Sequence, residues 1–500
     1  MDDARPGRHD LRDRYRATVL KPIFDAWKAD LYPVLIDASR AHVAALASAA
    51  ALSPEHAARL LEGLDALAAV PAASLEYDPG VEDVYFALER ALVGRLGAEI
   101  AGNLQLARSR NDLDAAAFRV VVRTRLLTVA GATVALGRTA VSRARDGRDV
   151  LVVARTHGRP AQPTTAGHVL AAYAGTVLRD LARYRLAYEE ANRSPLGACA
   201  LAGTAFPLDR IELARLMGFD GLVENTYDAV AGADYALTTL AACGAALAGA
   251  SRLLATLDLW AAGSPPVVTL DPGFVQVSSM MPQKRNLVFV EHLRARAMRA
   301  AGVLAGQVAG VAATPFEDDN RATAELQADL WRTLDDAADT AQLLSLALGS
   351  MIIGPGVPPE DVVASGATAT ELMDAIVRRH GASQRQAHAV VSAMVERAPD
   401  PRVWTESLMR DISGAVLGRP LAFPTAELQA LLDPRAFVAA RQGIGGPSAG
   451  AIDAGLGAVA AALGGVERWL AAARERLDAS RAALGSRCGQ VIAAAGRASS

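Results

Sequence analysis

Residues 112–147 read DLDAAAFRVVVRTRLLTVAGATVALGRTAVSRARDG, and this stretch decides the fold class. Its apolar residues recur at helical spacing along the whole stretch. Similar stripes run through residues 164–191, 234–262, 288–312 and 322–350. Helices of this length are typical of elongated bundles, and no alternation of strands and helices accompanies them in the sequence. The sequence therefore predicts an all-α protein with a central bundle of long helices.

The segments around this bundle predict shorter helices and domain boundaries. Ser53 followed by Pro54 suits an N-cap and a first helical residue, and leucines then recur at helical spacing. A chain of 500 residues exceeds what one hydrophobic core usually organises. A Gly/Pro-rich break at residues 354–359 marks the start of a C-terminal part. We predict an N-terminal helical domain at residues 1–106, a central helix-bundle domain at residues 107–355 and a C-terminal helical domain at residues 356–500.

The composition predicts a protein without nucleic-acid or membrane partners. The formal net charge is −3 and the cationic residues are spread along the chain, whereas binding to nucleic acid or an anionic membrane usually needs a large basic excess. No stretch reaches the roughly 18 uninterrupted apolar residues of a spanning helix. The charged start at residues 1–16 lacks the apolar segment of a signal peptide, so we expect a cytoplasmic location.

The cysteines bear on metals and cofactors. Cys199, Cys243 and Cys488 lie far apart in the sequence and form neither a short-spaced metal-ligand pair nor a disulfide framework. Free cysteines of this kind are usually buried as small apolar residues. No other motif indicates a metal or an organic cofactor, and we predict that the protein uses none.

The first stretch with chemical character opens the long helix, at Arg108-Ser109-Arg110-Asn111. Two guanidinium groups, a hydroxyl and an amide near a helix N-terminus can bind a carboxylate, because fixed donors and the helix dipole favour an anion there. An ordinary capped helix start, exposed to solvent, is an equally good interpretation of this stretch alone.

The second stretch centres on His157, which follows Thr156. A glycine and two prolines hold this histidine in irregular backbone just before a helix. A lone histidine is more often structural than functional, but its place beside a threonine in a rigid turn makes the two interpretations comparable. A third stretch, residues 194–210, is rich in small residues and turn formers and contains no clear catalytic group.

The fourth stretch, residues 277–286, reads VSSMMPQKRN and is the strongest candidate for catalysis. Its paired serines are followed closely by Lys284 and Asn286. A serine used as a base needs help because its hydroxyl is a poor acid, and a nearby cation with backbone donors can stabilise the alkoxide. No histidine lies in this segment and the chain has no Gly-x-Ser-x-Gly elbow, so a hydrolase triad is not indicated.

Together the four stretches resemble the fumarase/aspartase superfamily, and within it the argininosuccinate lyase family. Residues 277–286 are similar to the superfamily signature Gly-Ser-Ser-x-Met-Pro-x-Lys-x-Asn, and Gln283 followed by a basic residue resembles the argininosuccinate lyase version. Residues 107–112 are close to that family's Gly-Arg-Ser-Arg-Asn-Asp. Further ordered matches extend the resemblance over about residues 30–450.

The resemblance implies a three-domain helical fold with a homotetrameric core, in which three subunits contribute to each active site. It also implies a small-molecule substrate, argininosuccinate, split into fumarate and arginine by anti-elimination through a doubly charged aci-carboxylate. Ser278 would be the base, and Lys284 and Asn286 would hold the developing charge. His157 would serve the leaving nitrogen and Glu291 would pair with it. The residues implied to bind substrate are Ser109, Arg110, Asn111, Thr156, Ser279, Gln283 and Asn286.

Several positions depart from the family pattern. Val277 stands where the family usually has glycine and Leu287 where it usually has proline, which changes the backbone freedom of the loop. Residues 312–328 lack the usual Tyr-Asn segment near the arginine half of the substrate and carry an acidic cluster at residues 317–319. A fumarate-releasing lyase acting on another N-succinyl amine, of the aminopolycarboxylate type, is therefore the alternative. A non-catalytic scaffold homologue is a further alternative.

Overall fold

The computed structural model describes residues 8–498, and 71% of the structure is helical. This confirms the prediction of an all-α fold. Ser53 caps its helix as predicted, because its side chain accepts a hydrogen bond of 3.2 Å from the N–H of His56. The N-terminal helices are α1 (Arg8–Tyr15), α2 (Lys21–Ser48), α3 (Pro54–Ala68), α4 (Val84–Leu96) and α5 (Ala98–Ala101).

In the described chain, five long helices form the central bundle, with two short helices between them. The observed bounds of each long helix differ from the predicted stripe by at most two residues at either end. The helices of this part are α6 (Arg110–Asp146), α7 (Ala166–Ala191), α8 (Arg210–Leu216), α9 (Thr226–Ala231), α10 (Asp234–Ala261), α11 (Val288–Ala312) and α12 (Ala324–Ser350).

Helix α6 lies at the centre of the bundle and packs against α7, α12 and α2. Its apolar side chains are removed from solvent on several faces; Leu113, Val122 and Leu126, for example, are at most 1% exposed. A helix that is apolar around most of its circumference is stable only in such a core. The junction with α7 is tight, since the Gly167 N–H donates a hydrogen bond of 2.8 Å to the carbonyl of Gly147.

Within residues 8–498, short strands form four two-stranded sheets at the ends of the bundle. The longest pair, β1 and β2, is an antiparallel hairpin in which Leu151 faces Thr165. This hairpin corrects the expectation of irregular backbone around His157. Two prolines are compatible with β2 because a two-stranded ribbon leaves one edge without a hydrogen-bonding partner. The strands are β1 (Leu151–Thr156), β2 (Arg159–Thr165), β3 (Arg193–Ser194), β4 (Gly221–Leu222), β5 (Val268–Thr269), β6 (Gln276–Val277), β7 (Arg285–Asn286) and β8 (Ile352–Ile353).

The C-terminal part contributes to two hydrophobic cores, and the predicted domain at residues 356–500 stays a prediction. Residues 372–432 contain a separate core in which Trp404 and Phe423 are fully buried. The last helix returns to the main core and packs against α3, α6 and α7, because its long apolar stripe can be buried only along the bundle. The helices are α13 (Pro359–Ala364), α14 (Ala369–His380), α15 (Gln384–Arg397), α16 (Glu406–Leu417), α17 (Thr425–Leu431), α18 (Pro434–Ala439) and α19 (Ala449–Ala498).

Three of the described helices, α6, α10 and α19, are long and apolar enough to cross a membrane by length and composition. In α6, 67% of the most apolar window is buried inside the chain itself, whereas in α10 the value is 44% and in α19 it is 17%. The apolar length of α6 is thus accounted for by the bundle core. Part of the apolar surface of α10 and α19 stays uncovered in a single chain.

The junction of α6 and α7 yields a stability prediction. In Gly167→Ala the added Cβ would overlap the carbonyl oxygen of Ala144 and lie 2.5 Å from the Cα of Arg148, and neither backbone group can rotate away. We expect the free energy of unfolding to fall by about 1–3 kcal/mol. Gly175→Ala on the same helix is the matched control, because its Cβ meets only the end of Arg179 at 3.9 Å. Denaturant unfolding should show the control unchanged or up to about 1 kcal/mol more stable; equal effects of the two substitutions would contradict the packing argument.

Candidate active site

The start of α6 is a fully formed capping box. The Ser109 hydroxyl accepts a hydrogen bond of 3.3 Å from the N–H of Asn111, and Asp112 accepts one of 3.1 Å from the N–H of Ser109. The Asn111 amide donates to the carbonyl of Ala200 at 3.1 Å. The capped-helix interpretation therefore describes the local structure, and Ser109 and Asn111 are held in fixed positions at the positive end of the helix dipole.

Arg110 is neutralised by carboxylates of its own chain. Its guanidinium donates to Asp83 and to Asp114, both at 2.7 Å, and it lies over the rings of Tyr85 and Phe86. Burial alone would lower the pKa of Arg110, but the charges of Asp114 and Asp83 outweigh burial and raise it. Asp83 had no role in the sequence-based prediction. The Arg110 guanidinium is thus part of a cluster with two carboxylates and is not an isolated cation.

Asp112 fastens the helix start to the segment after α7. Its second carboxylate oxygen accepts hydrogen bonds of 3.0 Å from the N–H groups of Gly197 and Cys199. The side chain is 1% exposed, and burial raises its pKa to about 6 although the N–H groups of Ser109 and Cys199 oppose the shift. The spacing of Ser109 and Asp112 is the sequence signal for the capping box. No sequence pattern predicts the two longer-range bonds.

The hairpin of β1 and β2 presents Thr156 and His157 at its tip. Thr156 pairs with Arg159, and the two residues between them, His157 and Gly158, have positive φ angles of 52° and 75°. This is the two-residue turn that matches the twist of a hairpin, and a guanidinium N–H of Arg155 donates to the carbonyl of Gly158 at 3.1 Å. Both Thr156 and His157 are exposed, so the imidazole is accessible from solvent at the tip of the hairpin.

Residues 277–287, the signature loop, comprise the end of β6, the turn that follows it, β7 and Leu287. Gln276 pairs with Asn286 at the base of the loop. The Ser278 oxygen accepts hydrogen bonds from the N–H groups of Met280 at 3.3 Å and Met281 at 3.0 Å. Backbone donors aimed at a serine oxygen favour its deprotonated form. The loop geometry is therefore suited to a serine that acts as a base.

A cavity of about 700 Å³ lies beneath the signature loop. Its walls include Asn286 and Glu291 together with Asp258 and Arg294 of the flanking helices. The volume is within the range of about 300–1,000 Å³ that is typical of small-molecule sites. Ser279, Gln283 and Lys284 are exposed on the loop beside it. Among residues 8–498, no cluster of three or more His, Cys, Asp or Glu side chains could hold a metal ion.

The candidate residues do not all meet within one chain. Helix α6 has 37 residues and spans about 55 Å, with Ser109, Arg110 and Asn111 at its start and the hairpin of Thr156 and His157 after its end. Within the part of the chain that the structure describes, Glu291 lines the cavity beneath the signature loop, whereas His157 is exposed at the hairpin tip. Within one chain, the helix-start set and the hairpin set are therefore separated by the length of α6.

The divergent segment at residues 312–328 lies at the helix-start end of the bundle. Asp318 and Asn320 line a small cavity together with Asn111 and Asp114. Burial raises the pKa of Asp318, and the nearby charge of Asp319 adds to the shift. Phe316 of this segment stacks on Tyr227 of α9, with ring centroids 5.9 Å apart. The acidic cluster is therefore adjacent to residues predicted to bind the substrate carboxylates.

Comparisons with known proteins agree with this architecture. A family model described as lyase matches residues 21–302, and a model described as argininosuccinate lyase C-terminal matches residues 366–439. Argininosuccinate lyase 2 of Agrobacterium fabrum is 32% identical over 440 residues, covering 87% of each chain. Argininosuccinate lyase of Methanoculleus marisnigri is 35% identical over 378 residues, covering 76% of each chain.

Solved structures give the same result. The crystal structure of EDDS lyase in complex with formate matches with a TM-score of 0.86 and 30% identity, covering 94% of this chain and 95% of that chain. Class II fumarase from Schistosoma mansoni shares the fold, with a TM-score of 0.69 at 15% identity, covering 85% of this chain and 95% of that chain. The fold and the serine-bearing loop define a lyase of the fumarase/aspartase superfamily. Within it, the chain belongs to the argininosuccinate lyase family, whose members are carbon–nitrogen lyases.

The raised pKa of Asp112, about 6 against about 3.9 in an unfolded chain, predicts a pH effect on stability. Because the folded pKa is the higher one, the contribution of protonation is fully present below pH 4 and is lost as the pH rises through 6. Relative to Asp112→Asn, which cannot titrate, the wild type should lose up to about 3 kcal/mol of unfolding free energy between pH 4 and pH 7. Denaturant unfolding of both proteins across this range measures the difference, and a constant difference would refute the assignment.

Proposed function

We propose that this protein is an argininosuccinate lyase that eliminates fumarate from argininosuccinate and leaves arginine. The observation that carries the proposal is the Ser278 oxygen, which accepts two backbone hydrogen bonds in a loop that matches the superfamily signature. Relatives named argininosuccinate lyase, at 32% and 35% identity over most of the chain, support the choice of substrate. We further propose that the enzyme acts in the cytoplasm, as a metabolic enzyme like its argininosuccinate lyase relatives.

In the proposed mechanism, Ser278 removes a proton from the carbon next to a substrate carboxylate. The electron pair moves into that carboxylate, and Lys284 and Asn286 stabilise the resulting aci-carboxylate. The pair then returns to form the carbon–carbon double bond of fumarate while the carbon–nitrogen bond breaks. His157 gives a proton to the leaving nitrogen, directly or through water, and Glu291 pairs with His157 and favours its protonated form.

The other proposed substrate contacts come from the start of α6, from the hairpin and from the signature loop. Ser109 and Asn111 present a hydroxyl and an amide at the positive end of α6, which suits the succinyl carboxylates. Arg110 contributes positive charge to the same end, partly offset by its own carboxylate partners. Thr156 donates from the hairpin. The substrate-binding part of the signature loop comprises Ser279, Gln283 and Asn286.

We propose that a homotetramer assembles these separated sets, with three subunits contributing to each site. The length of α6 supports this, since residues at its two ends can share a site only if another copy packs against the bundle. Helix α11 also supports it, because only three of its 25 residues are buried within the chain although most of them are apolar. Met298 of this helix is 77% exposed, which a partner helix would cover.

A second candidate function is fumarate release from a different N-succinyl amine. The solved structures of EDDS lyase, at a TM-score of 0.86, favour it. The divergent segment also favours it, because Asp318 places a carboxylate near Asn111 that attracts any cationic leaving group, whereas Asp319 is already paired with Arg321 at 2.7 Å. The chemistry at Ser278 is the same in both candidates. Only the amine differs.

Release of fumarate from argininosuccinate tests the proposal directly. Purified protein should produce the ultraviolet absorbance of fumarate, and Ser278→Ala should be slower by about 10²–10⁴-fold because it lacks the general base. Ser279→Ala is the matched control for the loss of a hydroxyl from the same loop, and it should keep more of the rate.

The outcome with other substrates separates the two candidate functions. Fumarate released from EDDS, or consumed with a panel of amines, together with no activity on argininosuccinate, would replace the substrate and keep the mechanism. Activity of Ser278→Ala equal to that of the wild type would refute the mechanism. If fumarate is neither released nor consumed with any of these compounds, the scaffold homologue is favoured.

Shared active sites predict that two inactive variants rescue each other. When Asn111→Ala and Ser278→Ala chains are mixed, dissociated and reassembled, about a quarter of the sites should receive both intact residues, because each comes from a different subunit. Activity should therefore return to about a quarter of the wild-type value. Each variant treated alone is the control. An inactive mixture that has formed hybrid tetramers by mass spectrometry would show that the two residues act within one chain.

A further inference from the structure

A second cavity, of about 360 Å³, lies far from the signature loop. It is enclosed by helices α2, α6, α8 and α19, and apolar side chains such as Val34, Leu216 and Leu484 form much of its wall. Pro33, Thr124 and Arg481 line it and are exposed, so the cavity opens to solvent beside them. Its volume is at the lower end of the range for small-molecule sites.

The wall contributed by α6 contains a buried guanidinium without an anionic partner. Arg123 is 5% exposed, and its hydrogen bonds of 2.7 Å and 2.6 Å go to the Asn192 amide oxygen and the Met217 carbonyl, which are both neutral. Among the side chains that the structure describes, its other close partner is the Phe219 ring, whose centroid lies 4.5 Å from the guanidinium carbon, so no carboxylate pairs with Arg123. Its Nε atom has no hydrogen-bond acceptor. A buried charge without a counterion is costly, and an anion bound nearby would relieve that cost.

The other charges around the cavity leave it positive overall. Arg125 is satisfied by a bidentate pair with Asp30, at 3.0 Å for both bonds. Arg481 stands at the mouth and pairs with Asp478 of its own helix at 3.0 Å, and its side chain is 67% exposed. Asp37 is the remaining carboxylate of the wall, and it is already within 3.5 Å of Arg40. Arg123 and Arg481 thus add two positive charges to the wall, and the charge of Asp37, which is felt at Arg481, offsets only part of them.

We propose that this cavity binds a small organic carboxylate with an apolar body, and that Arg123 and Arg481 attract its carboxylate group. The apolar wall would hold the hydrocarbon part, which a purely inorganic anion lacks. Arg123 lies on the same helix as Asn111, further along α6 from its start. The site is independent of the proposed lyase reaction.

Binding of 3-methylbutanoate tests the proposal, with the neutral 3-methylbutanamide as a matched probe of the same shape. Isothermal titration of the intact protein should detect the carboxylate and not the amide. Arg123→Gln should weaken the carboxylate at least tenfold, since a charge-assisted contact is lost. Ser480→Trp should abolish binding, because Ser480 lines the cavity and a large side chain there would fill it.

Two controls keep the result interpretable if Arg123→Gln fails to fold. Arg481→Gln changes an exposed residue and should weaken binding several-fold. Arg468→Gln removes an exposed arginine of the same helix that does not line the cavity, and it should bind as the wild type does. Equal binding of acid and amide, or full binding by Ser480→Trp, would overturn the proposal. Tighter binding of inorganic phosphate than of 3-methylbutanoate would overturn the ligand class.

Discussion

The burial of helix α6 constrains the rest of the molecule. Its apolar residues can leave water only if other elements surround it, and α2, α7, α12 and α19 do so. The same helix also positions two of the candidate sets, because its start carries Ser109 to Asp112 and its end leads into the hairpin of His157. A rigid helix of about 55 Å keeps these sets apart in any single chain. The proposed homotetramer would bring such separated sets together.

Electrostatics at the helix start follows from the same arrangement. Asp112 lies where the backbone of α6 meets the segment after α7, so one buried carboxylate accepts hydrogen bonds from Ser109, Gly197 and Cys199. Arg110 is held by Asp83 and by Asp114, and this places a strong cation in a fixed position while limiting its net charge. An anionic substrate would therefore meet preorganised donors rather than mobile side chains.

The signature loop is held mainly by local hydrogen bonds and not by burial in a core. Only the short ladder of β6 and β7 holds its base, and Met280 at its tip is 86% exposed. The serine oxygen is positioned by neighbouring backbone N–H groups, so the local geometry survives without tertiary contacts at the tip. Such a loop can close over a ligand while the Ser278 oxygen keeps its two backbone hydrogen bonds. The cavity beneath it provides the space in which closure would act.

The sequence by itself determined the five long helices, the cap at Ser53 and the stretches that carry chemistry, because helical periodicity and capping are local properties that a few neighbouring residues define. It also determined the family through the ordered motifs around Ser109 and Ser278. Only the tertiary structure decided that α19 returns to the main core, that His157 sits on a hairpin and that Asp83 holds Arg110. These features depend on contacts between residues far apart in the chain. Neither composition nor spacing records them, since many pairings of the same segments would satisfy the local pattern equally well.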